Sequence, residues 1–248
     1  MRCPLAWLLI LCFLPSVLPA QESSEVLPGI ISMNEESHHH LVLHNNYINV
    51  FKVEVVPGDT IAMHRHQDDT IALAIGDQEV TIGIPGKPEV HQKNANGQIR
   101  LQRTGYVHST RNESPAPYRT VAVELLQPQT NPRNLCAPAI AGLPLNCPKP
   151  FPASAPAKQV GIAQFETDQT RVTLIRIRPL QQATLGETGR DVLVVTTERA
   201  EISTAPGKRT TRTLESGEPV WISRGKPRQI LMNIGDRDLS ILNVEFKP

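Results

Sequence analysis

The residues best suited to chemistry are three histidines that come from two separated stretches of the chain. His64 and His66 stand two residues apart, and His108 follows much later. Side chains on a β-strand alternate between its faces, so His64 and His66 should point to the same side. Imidazole nitrogens are common ligands of divalent transition metals. Three of them converging on one point therefore predict a metal centre.

Glycines recur at fixed spacings around both stretches. Two sets of residues carry the pattern: Gly58, His64, His66 and Gly76, and then Gly97, Gly105, His108 and Asn112. The pattern resembles the two motifs of the cupin superfamily, with Arg103 where the family usually has proline. The resemblance implies a jelly-roll β-barrel in which the histidines hold a metal ion. It also implies a small organic molecule as substrate or ligand, and it is compatible with a homodimer.

The carboxylate of the first cupin motif is displaced in this sequence. Thr70 stands at the family's distance from the histidine pair, whereas Asp69 stands at the family's distance from Gly76. If Asp69 faces inward, so do Ile71 and Leu73, which suit a barrel lining; a shift of one residue would turn them outward. This pattern predicts Asp69 as a fourth ligand or general base. The alternative is a three-histidine site completed by water.

Two polar residues near the third histidine are candidates for substrate binding. Tyr106 and Arg103 precede His108 closely enough to orient a substrate, and a structural role is the alternative for both. The histidine triplet at residues 38–40 is predicted to be a first strand or a surface segment that runs into residues 41–43, with a metal role as the less favoured alternative.

Composition favours an all-β protein. The 248 residues include 22 prolines and carry a formal net charge of +1. Short alternating apolar runs broken by proline and glycine are typical of β-barrels and sandwiches. The chain has no basic cluster, which argues against nucleic-acid binding.

The first twenty residues are predicted to be a secretory signal peptide. Arg2 is followed by an uncharged apolar run, and a small residue, Ala20, ends the segment. The mature chain is then secreted or periplasmic, without a stable membrane span after signal removal. An uncleaved anchor is the alternative, although the apolar run is short for a span. Residues 21–34 are a polar, flexible lead.

Two cysteines, Cys136 and Cys147, remain in the mature chain. In an oxidising compartment they are predicted to form a disulfide. They lie in residues 128–156, which are dense in proline and are predicted to be a semi-rigid linker.

The chain also contains a weak internal repeat. Residues 50–57 and 172–179 share one strand pattern, and residues 104–108 parallel residues 216–220, which places Val220 at the position of His108. No histidine follows His108, so the second copy cannot repeat the site. The sequence predicts a metal-binding domain over residues 35–127 and a degenerate cupin domain over residues 157–248. An unrelated β-sandwich is the alternative for the second.

These features together predict an exported bicupin that binds one Mn, Fe, Ni, Cu or Zn ion. Open coordination positions on such an ion would activate dioxygen or polarise a substrate oxygen. The predicted activity is that of a dioxygenase-like or oxidase-like oxidoreductase on a small organic molecule. The alternative is a cupin that binds or supports structure without turnover.

Overall fold

The computed structural model describes residues 29–134, 137–138, 145–146, 160–186, 189–204 and 211–248. The predicted signal peptide, the pair Cys136 and Cys147 and most of the linker lie outside these residues. Across the described ranges the chain forms β-strands and one short 3-10 helix, Met33–Glu35, but no α-helix. The prediction of an all-β fold is confirmed. None of the described segments is a helix capable of crossing a membrane.

The strands fall into two groups along the chain. The first group is β1 (Ile31–Ser32), β2 (His39–His44), β3 (Ile48–Val55), β4 (Thr60–Arg65), β5 (Asp69–Ala74), β6 (Gln78–Gly83), β7 (Val90–Asn94), β8 (Ile99–Gln102), β9 (Val107–Asn112) and β10 (Tyr118–Leu125). Three short strands follow: β11 (Arg133–Asn134), β12 (Ala137–Pro138) and β13 (Leu145–Asn146). The second group is β14 (Val160–Glu166), β15 (Thr170–Ile177), β16 (Gln182–Leu185), β17 (Asp191–Thr196), β18 (Ala200–Thr204), β19 (Thr211–Leu214), β20 (Pro219–Ile222), β21 (Gln229–Asn233) and β22 (Leu239–Phe246).

The first group forms a barrel of two facing sheets. One sheet has the order β1-β4-β9-β6-β7, and the other has the order β12-β13-β8-β5-β10-β3-β2. A small apolar cluster lies between them: Met33, Phe51, Val53, Val55, Ile61 and Ala122. This cluster fills only part of the interior, because many inward-facing side chains of the first barrel are polar.

The second group forms a barrel with a different interior. Its sheets have the orders β11-β14-β15-β22-β17-β20 and β16-β21-β18-β19. Aliphatic side chains fill the space between them, among them Ile177, Leu185, Val194, Leu214 and Leu231. The second barrel is therefore a packed core.

A third apolar core joins the two barrels. Ile71 and Leu73 of β5 pack there with Leu174 and Leu242 of the second barrel. The large sheets of the two barrels thus face each other, and β5 is buried on both faces. The prediction that Ile71 and Leu73 line the interior of the first barrel is wrong, because they line this interface instead.

The two barrels share one topology. The series β2-β3-β10-β5-β8 corresponds to β14-β15-β22-β17-β20, and β4-β9-β6-β7 corresponds to β16-β21-β18-β19. Strand β20, which carries Val220, therefore corresponds to β8. The counterpart of β9, which carries His108, is β21. The predicted equivalence of Val220 and His108 is wrong by one strand.

Matching asparagines confirm the corrected correspondence. Asn112 Nδ2 donates to the carbonyl oxygens of Val55 and Ala116, both at 2.9 Å. Asn233 Nδ2 makes the same pair of bonds to carbonyl oxygens, at 3.0 and 2.7 Å. In the first barrel His108 pairs with His64, whereas in the second barrel Gln229 pairs with Leu185. The second barrel therefore has Gln229 and Leu185 at the positions of the ligands His108 and His64.

Two equivalent turns bring the barrels into reciprocal contact. Gly97 and Gly217 have φ angles of 77° and 73°, which favour glycine. A Cβ on Gly97 would approach Ser240 of the second barrel to 3.0 Å, and a Cβ on Gly217 would approach Val121 of the first to 3.2 Å. Reciprocal contacts of this kind are typical of a two-fold interface.

Candidate metal centre

The structure brings the three predicted histidines together inside the first barrel. One ring nitrogen from each of His64, His66 and His108 lies within 4.8 Å of the others. The Nε2 atoms of His66 and His108 are 3.0 Å apart. All three residues are buried, with exposures of 1%, 2% and 7%.

Two neighbouring strands and two loops position these rings. His64 on β4 lies directly opposite His108 on β9 in the antiparallel register. His66 lies in the loop directly after β4. Its backbone N–H donates to the carbonyl oxygen of Tyr106 at 2.9 Å, and its carbonyl oxygen accepts from the backbone N–H of Gly105 at 2.8 Å. These two backbone bonds tie the loop after the first motif to the loop of the second.

The orientation of the His64 ring leaves one nitrogen for a ligand. Its Nδ1 lies 2.8 Å from the carbonyl oxygen of Ala62. A carbonyl oxygen only accepts, so Nδ1 carries the proton and Nε2 presents a lone pair. That Nε2 is buried and has no hydrogen-bond partner among the described residues. A buried polar atom without a partner is costly unless a ligand satisfies it.

Threonine hydroxyls orient the other two rings in the same way. His66 Nδ1 lies 3.2 Å from Thr70 Oγ1, and that hydroxyl donates to the carbonyl oxygen of Asp68 at 3.1 Å. Thr70 Oγ1 therefore accepts a hydrogen bond from the Nδ1–H group of His66. His108 Nδ1 lies 3.2 Å from Thr110 Oγ1. Such hydrogen-bond partners fix the orientation of a metal-binding histidine ring and the nitrogen that it presents to the ion.

Burial keeps the three imidazoles neutral. Burial lowers the pKa of His64 to about 4, and the charge of His39 adds to this effect. Burial also holds the pKa values of His66 and His108 well below the ordinary range, with the neighbouring histidine charges as a smaller cause. Neutral imidazoles are the form that binds a metal ion, so the cluster is ready to bind near neutral pH.

The residues fit a transition metal. Two nitrogens at about 2.1 Å from one ion and at right angles to each other would be roughly 3.0 Å apart. The Nε2 atoms of His66 and His108 have that separation, 3.0 Å. The nitrogen donors suit Mn, Fe, Ni, Cu or Zn better than Ca or Mg.

The structure places Asp69 away from this cluster. Its Oδ1 accepts from the Thr104 backbone N–H at 2.9 Å and pairs with Arg103 Nε at 3.1 Å. Asp191 in the second barrel likewise accepts from the backbone N–H of Arg224 at 2.9 Å. That barrel has no histidines, so this bond serves the strand connection and not a metal. The geometry favours the three-histidine alternative over Asp69 as a fourth ligand.

Replacing Asp69 by alanine should destabilise the fold without removing metal. The variant removes the hydrogen bond from the Thr104 N–H to the Asp69 carboxylate, and a bond of this kind typically contributes about 0.5–1.5 kcal/mol to the free energy of unfolding. Urea denaturation would measure this loss, and metal analysis would measure occupancy. Asp191→Ala is the matched control, with a similar loss expected. Loss of metal in the Asp69 variant alone would restore Asp69 as a ligand.

The two candidate substrate-binding residues lie in different places. Arg103 is 46% exposed at its side chain and contacts Asp69 outside the cluster. Tyr106 lies against the cluster, with its ring centroid 4.6 Å from that of His108. Its hydroxyl is buried without a hydrogen-bond partner in the part of the chain that the structure describes. Tyr106 therefore lies at the cluster, whereas Arg103 lies outside it.

A second histidine group lies beside the cluster and was not predicted as part of the site. The ring of His39 is 4.9 Å from that of His64, and its Nδ1 lies 2.8 Å from the buried carboxylate of Glu36. Burial raises the pKa of Glu36, but hydrogen bonds from His39 and His38 together with two backbone N–H groups outweigh it, and the net pKa is strongly lowered. The predicted strand begins at His39, as β2.

A buried carboxyl also faces the interior. Glu124 on β10 pairs in register with Thr70 on one side and Asn49 on the other. It is 2% exposed, and its Oε2 accepts from Asn49 Nδ2 at 2.7 Å. Burial raises its pKa, partly offset by that hydrogen bond. No sequence pattern predicts Glu124 as a site residue, because only the strand register places it beside Thr70.

Comparison with solved structures identifies the architecture. A cupin 2 conserved barrel domain protein from Leptotrichia buccalis superposes with a TM-score of 0.51 at 10% identity, covering 84% of this chain and 88% of that one. An oxalate decarboxylase superposes with a TM-score of 0.51 at 11% identity, covering 87% and 76%. The chain has the cupin fold. A mutant of the salicylate 1,2-dioxygenase from Pseudoaminobacter salicylatoxidans gives 0.50 at 12% identity, covering 80% and 71%.

These superpositions extend over both barrels, which makes the chain a bicupin. No protein-family model matches the sequence. No curated protein sequence matches it either. The cupin resemblance of the two motifs is thus confirmed at the level of fold, and the histidine cluster occupies the first of the two cupin barrels.

Proposed function

We propose that the first cupin barrel binds one divalent transition metal through His64, His66 and His108. The protein would use that metal on a small organic molecule, as a dioxygenase-like or oxidase-like oxidoreductase. The observation that carries this proposal is the buried Nε2 of His64, which has no partner among the described residues. It belongs to a cluster in which one ring nitrogen from each of the three histidines lies within 4.8 Å of the others.

The similar structures support the class of reaction. They include proteins described as an oxalate decarboxylase and a salicylate 1,2-dioxygenase. A metal with three imidazole ligands keeps open positions and supplies Lewis-acid or redox chemistry there. The role of the chain is to hold the three ring nitrogens neutral and oriented, through the outer bonds from Ala62, Thr70 and Thr110.

We also propose that the protein acts outside the cytoplasm. The support is the N-terminal sequence, in which a basic start precedes an uncharged apolar run and a small residue. The pair Cys136 and Cys147 is compatible with an oxidising compartment.

Metal analysis of the purified mature protein tests the central proposal. After removal of metals and reconstitution, we expect about one Mn, Fe, Ni, Cu or Zn ion per chain, because one barrel alone carries the ligands. Elemental analysis after gel filtration gives the ratio. A ratio below about a tenth for every metal tried would refute the metal centre.

A binding role without turnover is the second candidate. Thr70 stands where the family carries a glutamate, and the second barrel has no ligand histidines. Oxygen uptake by the metal-loaded protein, measured across a panel of small acids and phenols, separates the two candidates. Oxygen uptake with any compound supports the oxidoreductase. The absence of oxygen uptake with every compound, at full metal occupancy, favours the binding role.

A further inference from the structure

The strand that carries His64 contains a β-bulge directly before that residue. Ile61 pairs with Thr110, and His64 pairs with His108, so three steps along β4 span only two steps along β9. Ile61 and His64 both face the interior, with exposures of 2% and 1%, although regular alternation would place residues three apart on opposite faces. The bulge is therefore what turns His64 into the barrel.

The corresponding strand of the second barrel has no bulge. Strand β16 pairs with β21 without a register shift. Ala183 and Leu185 stand two residues apart on β16, and both belong to the core of that barrel, as regular alternation requires. Leu185 occupies the place of His64. The extra residue of β4 is thus specific to the barrel that holds the histidines, whereas the topology is common to both.

A strap formed by residues 31–39 lies along the bulged strand. Strand β1 pairs in parallel with β4, with Ile31 opposite His64. Met33, in the 3-10 helix that follows β1, is fully buried in the small apolar cluster of the first barrel and anchors the strap. Within the described ranges, β16 has no strand in the position that β1 takes beside β4. Strap and bulge therefore occur together, on the same barrel.

The carboxylate of Glu36 connects the strap to the bulge. Glu36 is 3% exposed, and its Oε1 accepts from the backbone N–H of Ala62 at 3.3 Å. Ala62 lies in the bulge, between Ile61 and His64. Its carbonyl oxygen accepts from His64 Nδ1 at 2.8 Å. One backbone group of Ala62 thus holds the bulge to Glu36, and the other orients the His64 ring.

Two histidines of the strap hold this carboxylate in place. The backbone N–H of His38 donates to Glu36 Oε2 at 2.9 Å. The Nδ1 atoms of His38 and His39 lie 3.0 Å from Oε1 and 2.8 Å from Oε2. A carboxylate only accepts, so both ring nitrogens donate. Together with the N–H of Ala62, four donors fix the carboxylate in one orientation, and the single oxygen of an amide could not serve all four.

We propose that Glu36 is a positioning residue for the proposed metal centre. By holding Ala62 in the bulge, it keeps the carbonyl oxygen of Ala62 on His64 Nδ1 and so directs His64 Nε2 to the ion. Glu36 acts through the backbone and is not itself a ligand. This inference rests on the proposed metal centre, because it concerns how one of the three ligands is oriented.

Cobalt binding to the purified mature protein tests this role. Co²⁺ binds to imidazole nitrogens, and its visible absorption spectrum reports the coordination geometry. Glu36→Ala removes all four hydrogen bonds, and we expect cobalt affinity to fall about 10–100-fold, the usual effect of losing a partner behind a ligand, with an altered spectrum. Glu36→Gln keeps the size and one accepting oxygen, so a loss of about tenfold, the lower end of that range, is expected.

Glu35→Ala is the matched control. Glu35 belongs to the same strap but is exposed, and its Oε2 accepts from the backbone N–H of Ser32 at 3.2 Å. The variant should keep the wild-type cobalt spectrum and an affinity within about twofold of the wild type, because surface substitutions have small effects.

The metal-free protein supplies a second measurement. Nitrogen-15 spectra of the histidine side chains show which ring nitrogen carries the proton, and His64→Ala assigns the His64 signals. We expect the Nδ1–H form of His64 in the wild type and in Glu35→Ala, and the loss of this preference in Glu36→Ala, because the Ala62 carbonyl is then no longer held in place.

A purely structural role for Glu36 would give a different result. Both Glu36 variants would then lower the free energy of unfolding but keep the cobalt affinity, the visible spectrum and the His64 tautomer of the wild type, and that outcome would overturn the proposal. If Glu36→Ala does not fold, the same measurements on Glu36→Gln decide. Missing metal in the wild-type protein would instead refute the metal centre, and the tautomer of His64 would still test whether Glu36 orients that ring.

Discussion

Replacing His64 and His108 together by alanine should abolish metal binding. Each substitution removes one ligand nitrogen, and His66 alone cannot hold an ion tightly. Loss of an outer hydrogen-bond partner of a metal ligand typically lowers metal affinity about 10–100-fold, and loss of two ligands should exceed this by orders of magnitude. Elemental analysis after gel filtration and a metal titration of the apoprotein measure the loss.

His91→Ala is the control for the double variant. His91 is exposed on β7, where its Nδ1 lies 2.9 Å from Thr81 Oγ1, and it takes no part in the cluster. This variant should keep full metal occupancy. Added metal should also raise the thermal midpoint of the wild-type protein and of His91→Ala, but not that of the double variant. Retention of metal by a folded double variant would locate the ion elsewhere.

Replacing Leu73 by alanine should destabilise the protein strongly while leaving the metal in place. Leu73 is fully buried in the core between the two barrels. Leucine-to-alanine changes in a packed core typically lower the free energy of unfolding by about 2–5 kcal/mol. Chemical denaturation measures this change, and metal analysis at low denaturant measures occupancy.

Leu41→Ala provides the same chemical change at the surface. Leu41 is 55% exposed on the edge strand β2, so its loss should alter stability by less than about 0.5 kcal/mol. Equal effects at Leu41 and Leu73 would contradict the interface. A drop in metal affinity at Leu73 would mean that this side chain faces the interior of the barrel, as the sequence pattern predicts.

The histidine cluster could be predicted because its information is local. His64 and His66 share a strand face by their spacing, and the second motif brings His108 by its match to the cupin pattern. The position of Asp69 could not be predicted in the same way. The argument from alternation assumes one buried face, but β5 is buried on both, and apolar periodicity then no longer identifies the interior.

The position of Glu124 depends on strand register, which sequence patterns do not reveal. Glu124 reaches the interior beside Thr70 only because β10 pairs with β5 in the observed register. The second-barrel alignment failed for a related reason. Gly105 and Gly217 both sit in tight turns with positive φ, so the turn signal alone did not distinguish β9 from β8.

The reciprocal glycine turns at the barrel interface give the chain the arrangement of a dimer made from one polypeptide. In an assembly of identical subunits, any substitution appears in every copy at once. Here the two halves can diverge separately, so Gln229 and Leu185 can occupy one half while His108 and His64 persist in the other. Selection for metal binding therefore acts on the first barrel alone, whereas the second barrel is constrained only by packing.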